Sequence, residues 1–283
     1  MTQTKDLAHF LAKMNQQKQH HIGYCGDNEA EIMDTLLHDF SELPLGESFF
    51  TAYEKGKLIG AIGLDIDLEE KSAEVWGPFT DNKETLDSLW NRICLHHDST
   101  LNKVYFFINE ENNQALTFMK KINAEHKSQH YILKAEKGEN NETHLVIPYA
   151  HHYQEAFSRL HEQAFPNTYY SANEILDKLN EYNQLLLVPA EDEQIKGYVY
   201  IEALPDHGEG NIEFISASPR FRRQGIGTLL LKAALSALFQ HKEILTVSLC
   251  VGADNQMALS LYKAAGFKIA HELQLFEGKI IHV

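Results

Sequence analysis

Apolar and polar residues change their period repeatedly along the chain, and the order of those changes predicts its elements. In the first half, helical spacing of apolar residues marks Leu7 to Gln17 and Glu29 to Phe40. The stretch Phe49 to Asp65 breaks at Lys55-Gly56 and predicts a hairpin. A strand over Ala73 to Phe79, a helix over Glu84 to Leu95 and a strand over Val104 to Ile108 follow, with a further helix from Asn112. In the second half, Thr143 to Ile147 reads as a strand, and His151 to Gln163 and Ser171 to Glu181 as amphipathic helices. Leu185 to Pro189 and Gly197 to Ala203 flank an acidic turn, Ala190 to Lys196, in the manner of a hairpin. Then come a strand over Ile212 to Ala217, a helix through Leu229, Leu230, Leu231, Ala234, Leu235 and Leu238, a strand over Ile244 to Val251, a helix after Asn255 and final strands.

The two halves follow one plan. Asn112-Asn113-Gln114-Ala115-Leu116-Thr117-Phe118-Met119 matches Asn255-Gln256-Met257-Ala258-Leu259-Ser260-Leu261-Tyr262 at its first, fourth and fifth residues. An internal repeat of about 140 residues is expected. The predicted fold is α/β, of the mixed α+β kind: two tandem modules, each with a central mixed, mostly antiparallel sheet flanked by helices. Polar Ala135 to Glu142, with Lys137-Gly138-Glu139-Asn140-Asn141 as linker, separates residues 1–138 from 143–283.

Length and charge narrow the classes. At 283 residues the chain suffices for two ordinary domains. No apolar run is long enough to span a bilayer, and Met1 to Lys18 is polar and amphipathic rather than signal-like, so a cytoplasmic protein without a membrane partner is expected. Cys25, Cys94 and Cys250 are odd in number and scattered, which gives neither a disulfide framework nor a C-x-x-C metal pair. A net charge of −15 argues against nucleic acid and is compatible with a cationic amine as partner.

The candidate chemistry begins at Arg222-Arg223-Gln224-Gly225-Ile226-Gly227-Thr228, between an apolar strand and a helix. Glycines there remove side chains that would block a ligand, and a helix start offers unpaired N–H groups and a positive dipole end. A pyrophosphate-bearing ligand suits such a cradle. Neither G-x-G-x-x-G nor G-x-x-x-x-G-K-[ST] is present; the order is R-x-x-G-x-G. Downstream stands Asn255-x-x-Ala258-x-x-x-Tyr262-x-x-x-Gly266-Phe267. This ordered pair resembles the acetyl-CoA signature of the GNAT superfamily of N-acetyltransferases, and the tandem plan is similar to that of mycothiol synthases and other two-module N-acyltransferases.

The resemblance implies acetyl-CoA as cosubstrate, with no metal, and transfer of its acetyl group to a primary amine by direct attack in a ternary complex. The N–H groups of Gln224, Gly225, Ile226, Gly227 and Thr228 are expected to hold the pyrophosphate, with Arg222 and Arg223 adding charge. The pantetheine arm is expected along Phe214, Ile215 and Ala217, in a gap between two splayed strands, with Ala217 N–H as oxyanion donor. Asn255 and Ala258 open the helix that carries Tyr262, the match to the family's general acid: a phenol stays protonated at neutral pH and can serve the departing thiolate. Where related enzymes often place a glutamate base this chain has Asn211; Glu213, two residues on and on the same strand face, is the candidate base, acting directly or through water. Its other reading is a carboxylate that recognises a cationic substrate or pairs with a neighbour.

The first half lacks the glycine pair. Thr80-Asp81-Asn82-Lys83-Glu84-Thr85 stands in place of the cradle, Met119 in place of Tyr262 and Asn123-Ala124 in place of Gly266-Phe267, so a degenerate, non-catalytic copy is expected. The histidines His20-His21, His96-His97, His151-His152, His126 and His130 read as solvated surface residues, and Cys250 as a packed core thiol. Glu191, Asp192, Glu193, Asp206, Glu209 and Glu213 lean toward a small cationic amine as acceptor, in a monomer or homodimer. Two alternatives stay open: a non-catalytic acyl-CoA sensor, kept alive by Asn211, and a protein N-acetyltransferase that docks through its first module.

Overall fold

The computed structural model of the protein describes residues 2–97, 100–138, 145–166 and 168–280. The first elements are α1 (Thr2–Asn15), α2 (Glu29–His38), α3 (Leu45–Ser48), β1 (Phe49–Glu54), β2 (Lys57–Asp67), β3 (Ser72–Phe79), α4 (Lys83–His97), β4 (Lys103–Asn109), α5 (Asn113–Lys121) and β5 (Glu125–Glu136). There follow β6 (Ile147–Pro148), α6 (Gln154–Ala164), α7 (Ala172–Asp177), β7 (Asn183–Pro189), β8 (Ile195–Leu204), β9 (Glu209–Ala217), α8 (Ile226–Leu238), β10 (Thr246–Gly252), α9 (Gln256–Ala264) and β11 (Lys268–Gly278).

Two compact units result, one of Met1–Tyr131 with His271–Val283 and one of Ile132–Ala270. This differs from a single cut between 138 and 143. The last strand pairs antiparallel with β4, from Leu273 opposite Asn109 to Gly278 opposite Val104, and its Phe276 enters the core of the first unit. The far end of β5 buries Leu133 and Ala135 in the second unit, where Lys137 N–H donates to Leu245 O at 3.3 Å. A long strand replaces the polar boundary expected from Ala135; the linker residues 139–141, like Thr143 and His144, lie outside the described residues. The final strands expected are one strand, β11.

In the first unit the sheet runs β1-β2-β3-β4-β11, antiparallel at β1–β2 and β2–β3 and parallel at β3–β4. The β1–β2 turn places Lys55 at φ 50° and Gly56 at φ 78°, the two left-handed residues that a tight hairpin turn requires. In the second unit β6, β7, β8 and β9 pair antiparallel in sequence and β9–β10 is parallel. The helix expected from Ser171 stops at Asp177, after a capping box in which Ser171 and Glu174 satisfy each other's N–H groups.

The internal repeat survives in the caps. The side chains of Asn112 and Asn255 each accept from the N–H three residues on, Ala115 and Ala258, both at 3.1 Å. At the far ends, Asn123 (φ 53°) and Gly266 (φ 94°) both turn left-handed. Ala124 N–H donates to Met119 O and Phe267 N–H to Tyr262 O. Asparagine is among the few residues with side chains that tolerate this conformation, so the substitution keeps the cap.

Candidate active site

Helix α8 supplies the cradle. Gly225, its N-cap, has φ 78°, and a Cβ there would meet nothing within 4 Å, so backbone conformation is what favours glycine. Gly227 answers to packing as well, since a Cβ would come within 3.0 Å of Leu261 Cδ2. Among the described residues no acceptor meets the N–H groups of residues 223–228; the first helical bond is Leu229 N–H to Gly225 O at 3.0 Å. Arg222 and Arg223 are exposed and make no ion pair among the described residues. Unpartnered amides at a helix start beside two cations fit a pyrophosphate.

The seat of that helix comes from two glycines outside the motif. A Cβ on Gly197 would lie 2.6 Å from Ser216 O and 3.0 Å from both Ile226 Cγ2 and Leu230 Cδ1; one on Gly210 would lie 2.8 Å from Leu238 Cδ2. The stripe Ile226, Leu230, Leu231, Ala234 and Leu238 is buried.

Beside the cradle the strands part. β9 and β10 are in register only for Glu209–Thr246, Gly210–Val247 and Asn211–Ser248. At the last pair Ser248 Oγ donates to Asn211 Oδ1 at 2.5 Å, which gives Asn211 a structural partner. Beyond it β9 bulges: Ile212 faces Ile201 and Phe214 faces Tyr200, leaving Glu213 unpaired on the strand. A bulge bends its strand and re-aims its side chains. Ser218 N–H donates to Lys196 O on β8 at 2.9 Å, so the alternation of a strand turns the N–H groups of Ile215 and Ala217 to the opposite edge, into the gap. The gap and its inward N–H groups fit the pantetheine arm expected along Phe214 to Ala217.

Three titratable groups gather here. Glu213 is half-buried and accepts a hydrogen bond from the Tyr169 hydroxyl. Desolvation raises its carboxyl to about 7; Tyr169 and Lys178 act downward and Glu202 upward. Tyr262 is buried, and desolvation, then the Cys250 charge, push its phenol up to about 12. Cys250 corrects the expectation of a core thiol, because it is exposed, on β10 past the last residue paired with β9. Protein still surrounds much of its sulfur, and desolvation with the Glu213 charge pushes the thiol up to about 12. A thiol so protonated is a poor nucleophile at neutral pH.

The first unit answers each feature with its own residues. β3 and β4 also part, after Glu74–Tyr105. Here Gly23 N–H donates to Phe107 O at 2.7 Å and Asn109 N–H to His21 O at 3.1 Å. Glu110 N–H turns the other way, to Glu272 O on β11, so residues 21–23 continue the edge that β3 leaves. At α4 the Asn82 side chain accepts from Glu84 and Thr85 N–H at 2.8 and 3.1 Å, and His20 Nε2 lies 3.1 Å from Asp81. Trp76 stands where the shared register puts Glu213. His20, His21 and His97 are buried, which corrects their reading as solvated; His97 Nε2 donates to Glu47 O at 3.0 Å.

Sequence reasoning missed Tyr169, Tyr170, Glu202, His161 and Tyr198. The last two are buried, and His161 Nδ1 lies 2.6 Å from the Tyr198 hydroxyl. No short motif carries them, because they meet only across the sheet. Glu191, Asp192 and Glu193 are exposed on the β7–β8 turn, and Glu209 pairs with Lys134 at 3.3 Å.

Residues 149–267 match the acetyltransferase (GNAT) family. An N-alpha-acetyltransferase of Sulfurisphaera tokodaii is 31% identical over 103 residues, a match spanning 33% of this chain and 62% of that protein. Among solved structures, a GCN5-related N-acetyltransferase from Sphaerobacter thermophilus superposes with a TM-score of 0.73 at 16% identity, over 99% of this chain and 93% of its own. A tandem GNAT protein from the clavulanic acid biosynthesis pathway gives 0.68 at 12% identity, over 98% and 95%. At such identities the structural likeness speaks for fold alone.

Proposed function

We propose, from the match of residues 149–267 to the acetyltransferase (GNAT) family, that the protein moves an acetyl group from acetyl-CoA to a primary amine, by direct attack in a ternary complex. The observation that carries this reading is the open cradle at 223–228 beside the β9–β10 gap, with a carboxylate of raised pKa and a protonated phenol at that gap. Acetyl-CoA supplies the thioester whose carbonyl carbon takes the amine and whose sulfur departs. Cradle amides with Arg222 and Arg223 hold its pyrophosphate. Ala217 N–H donates to the oxyanion. Glu213 receives the proton lost by the amine as the N–C bond forms, and Tyr262 gives a proton to the sulfur as the C–S bond breaks. Asn255 and Ala258 fix the start of α9 and so the place of Tyr262.

The acceptor is a small cationic amine in this reading, because the neighbouring carboxylates of Glu202 and Glu213 repel each other and would attract a cation. The second reading, acetylation of a peptide N-terminus, draws on the relative named N-alpha-acetyltransferase. The first module is a degenerate copy, since its strand gap and helix start are taken by residues 21–23 and by Asn82. Thiol release from acetyl-CoA, followed with polyamines and with short peptides, separates the acceptors. Tyr262→Phe is expected to lower turnover about a hundredfold or more with acetyl-CoA affinity kept; unchanged turnover overturns its acid role, and no turnover by the unaltered protein with any amine leaves the acyl-CoA sensor.

A further inference from the structure

The loop between α6 and α7 carries a tyrosine pair over the β9 bulge. Tyr169 is 63% exposed, yet its hydroxyl donates to Glu213 Oε2 and its ring lies 5.1 Å from that of Phe214 and 4.8 Å from that of Tyr170. An exposed loop tyrosine ordinarily keeps its hydroxyl in water. Here the loop is anchored from below. Tyr170 O can only accept, so His161 Nε2 donates to it, at 2.8 Å; His161 Nδ1 is then the acceptor for the Tyr198 hydroxyl at 2.6 Å. Both His161 and Tyr198 are buried. On the other side Lys178 Nζ lies 4.5 Å from the centre of the Tyr170 ring, and the Ser171–Glu174 capping box fixes the residues that follow. Buried, mutually satisfied polar groups make such an anchor rigid.

We propose that Tyr169 is a positioning residue for Glu213: held by the His161–Tyr198 pair through the backbone of Tyr170, its phenol fixes one carboxylate oxygen and leaves Oε1 to receive the acceptor's proton. This rests on the reading of Glu213 as base. The groups that act on the carboxylate come from several sides: Glu202 on β8, with its own bond from the Tyr200 hydroxyl at 2.7 Å, Lys178 after α7 and Tyr169 from the loop; Cys250 on β10 feels the Glu213 charge in turn. Of these, Tyr169 donates a hydrogen bond to Glu213 Oε2. Donation to the charged form favours it, against desolvation and against Glu202. Without the phenol the carboxylate would hold its proton to higher pH and turn freely in the bulge.

The test is a carbon NMR titration of the full chain labelled at the glutamate side-chain carboxyl carbon, with the Glu213 signal assigned by its loss in Glu213→Gln. Tyr169→Phe keeps both ring contacts and removes only the hydroxyl. An upward shift of the Glu213 midpoint in Tyr169→Phe, with Tyr170→Phe titrating as the unaltered protein does, is the expected result. Equal midpoints in all three proteins, or equal shifts in both variants, overturn the proposal. The titration needs neither acetyl-CoA nor acceptor, so its outcome is separate from that of the transferase reading, which fails if turnover and acetyl-CoA binding are absent.

Discussion

At the scale of single residues, the proposed proton transfers depend on two opposite protonation states. Glu213 must be ionised to accept a proton, and desolvation has raised its pKa to about 7, so kcat/KM is expected to fall with unit slope as pH drops below that value. Glu213→Gln should lower kcat about 10²- to 10⁴-fold and remove this acid limb while leaving acetyl-CoA affinity in place. A limb that persists in the variant would assign the titration elsewhere. Tyr262 must stay protonated, and its upward shift secures that across the neutral range. The spacing of Tyr262 from Asn255 and Gly266 was legible because cap, phenol and left-handed turn lie on one short helix. Glu213 was only half legible: strand alternation set it on the face of Asn211, but the bulge between them separates a residue bonded to Ser248 from one bonded to Tyr169.

At the scale of elements, the cradle is a helix start held open by backbone and held in place by packing, and the two demands fall on different glycines. Gly225→Ala keeps every amide and meets no atom, so its cost is the left-handed strain of about 1 to 2 kcal/mol. Gly197→Ala puts a methyl group against Ser216 O and the first turns of α8, and is expected to weaken acetyl-CoA binding although residue 197 lies outside the loop. Calorimetric titration of both variants beside denaturant melts distinguishes these outcomes; a Gly197→Ala protein that melts lower yet binds normally would show α8 adjusting without moving the cradle. Asn255→Ala removes the bond to Ala258 N–H and should cost about 1 kcal/mol in the same melts. The elements themselves were readable from period and turn residues, including the Lys55-Gly56 hairpin and the asparagine caps. Long β5 was not, because its first residues, Glu125 to Lys127, are exposed and polar and carry no apolar alternation.

At the scale of the molecule, sequence order does not bound the units, since β11 is the last element but its Phe276 belongs to the core of the first unit. A repeat read from one helix cannot disclose that, because strand exchange leaves each module's own pattern intact. A chain ending at Ala270 should therefore lose amide protection along Val104 to Asn109, while residues 183 to 217 keep theirs. The first unit also carries a pH signature of its own. Asp65 and Glu74 face each other across β2 and β3; desolvation, with Asp39, Asp67 and Glu42, raises Asp65 to about 6, and desolvation with Asp65 raises Glu74 to about 7. Both folded values exceed those of the unfolded chain, so the folded state holds more protons over roughly pH 4 to 7 and stability falls as pH rises through that window. Glu74→Gln should accordingly raise the melting temperature at about pH 8 and leave it nearly unchanged at about pH 4, where both forms are neutral. Glu74 is exposed on its outer face, and water there screens the pair, so the sign and the pH window are the prediction. A Gln variant that melts lower at about pH 8 would mean that a cation, not Asp65, governs the Glu74 carboxylate.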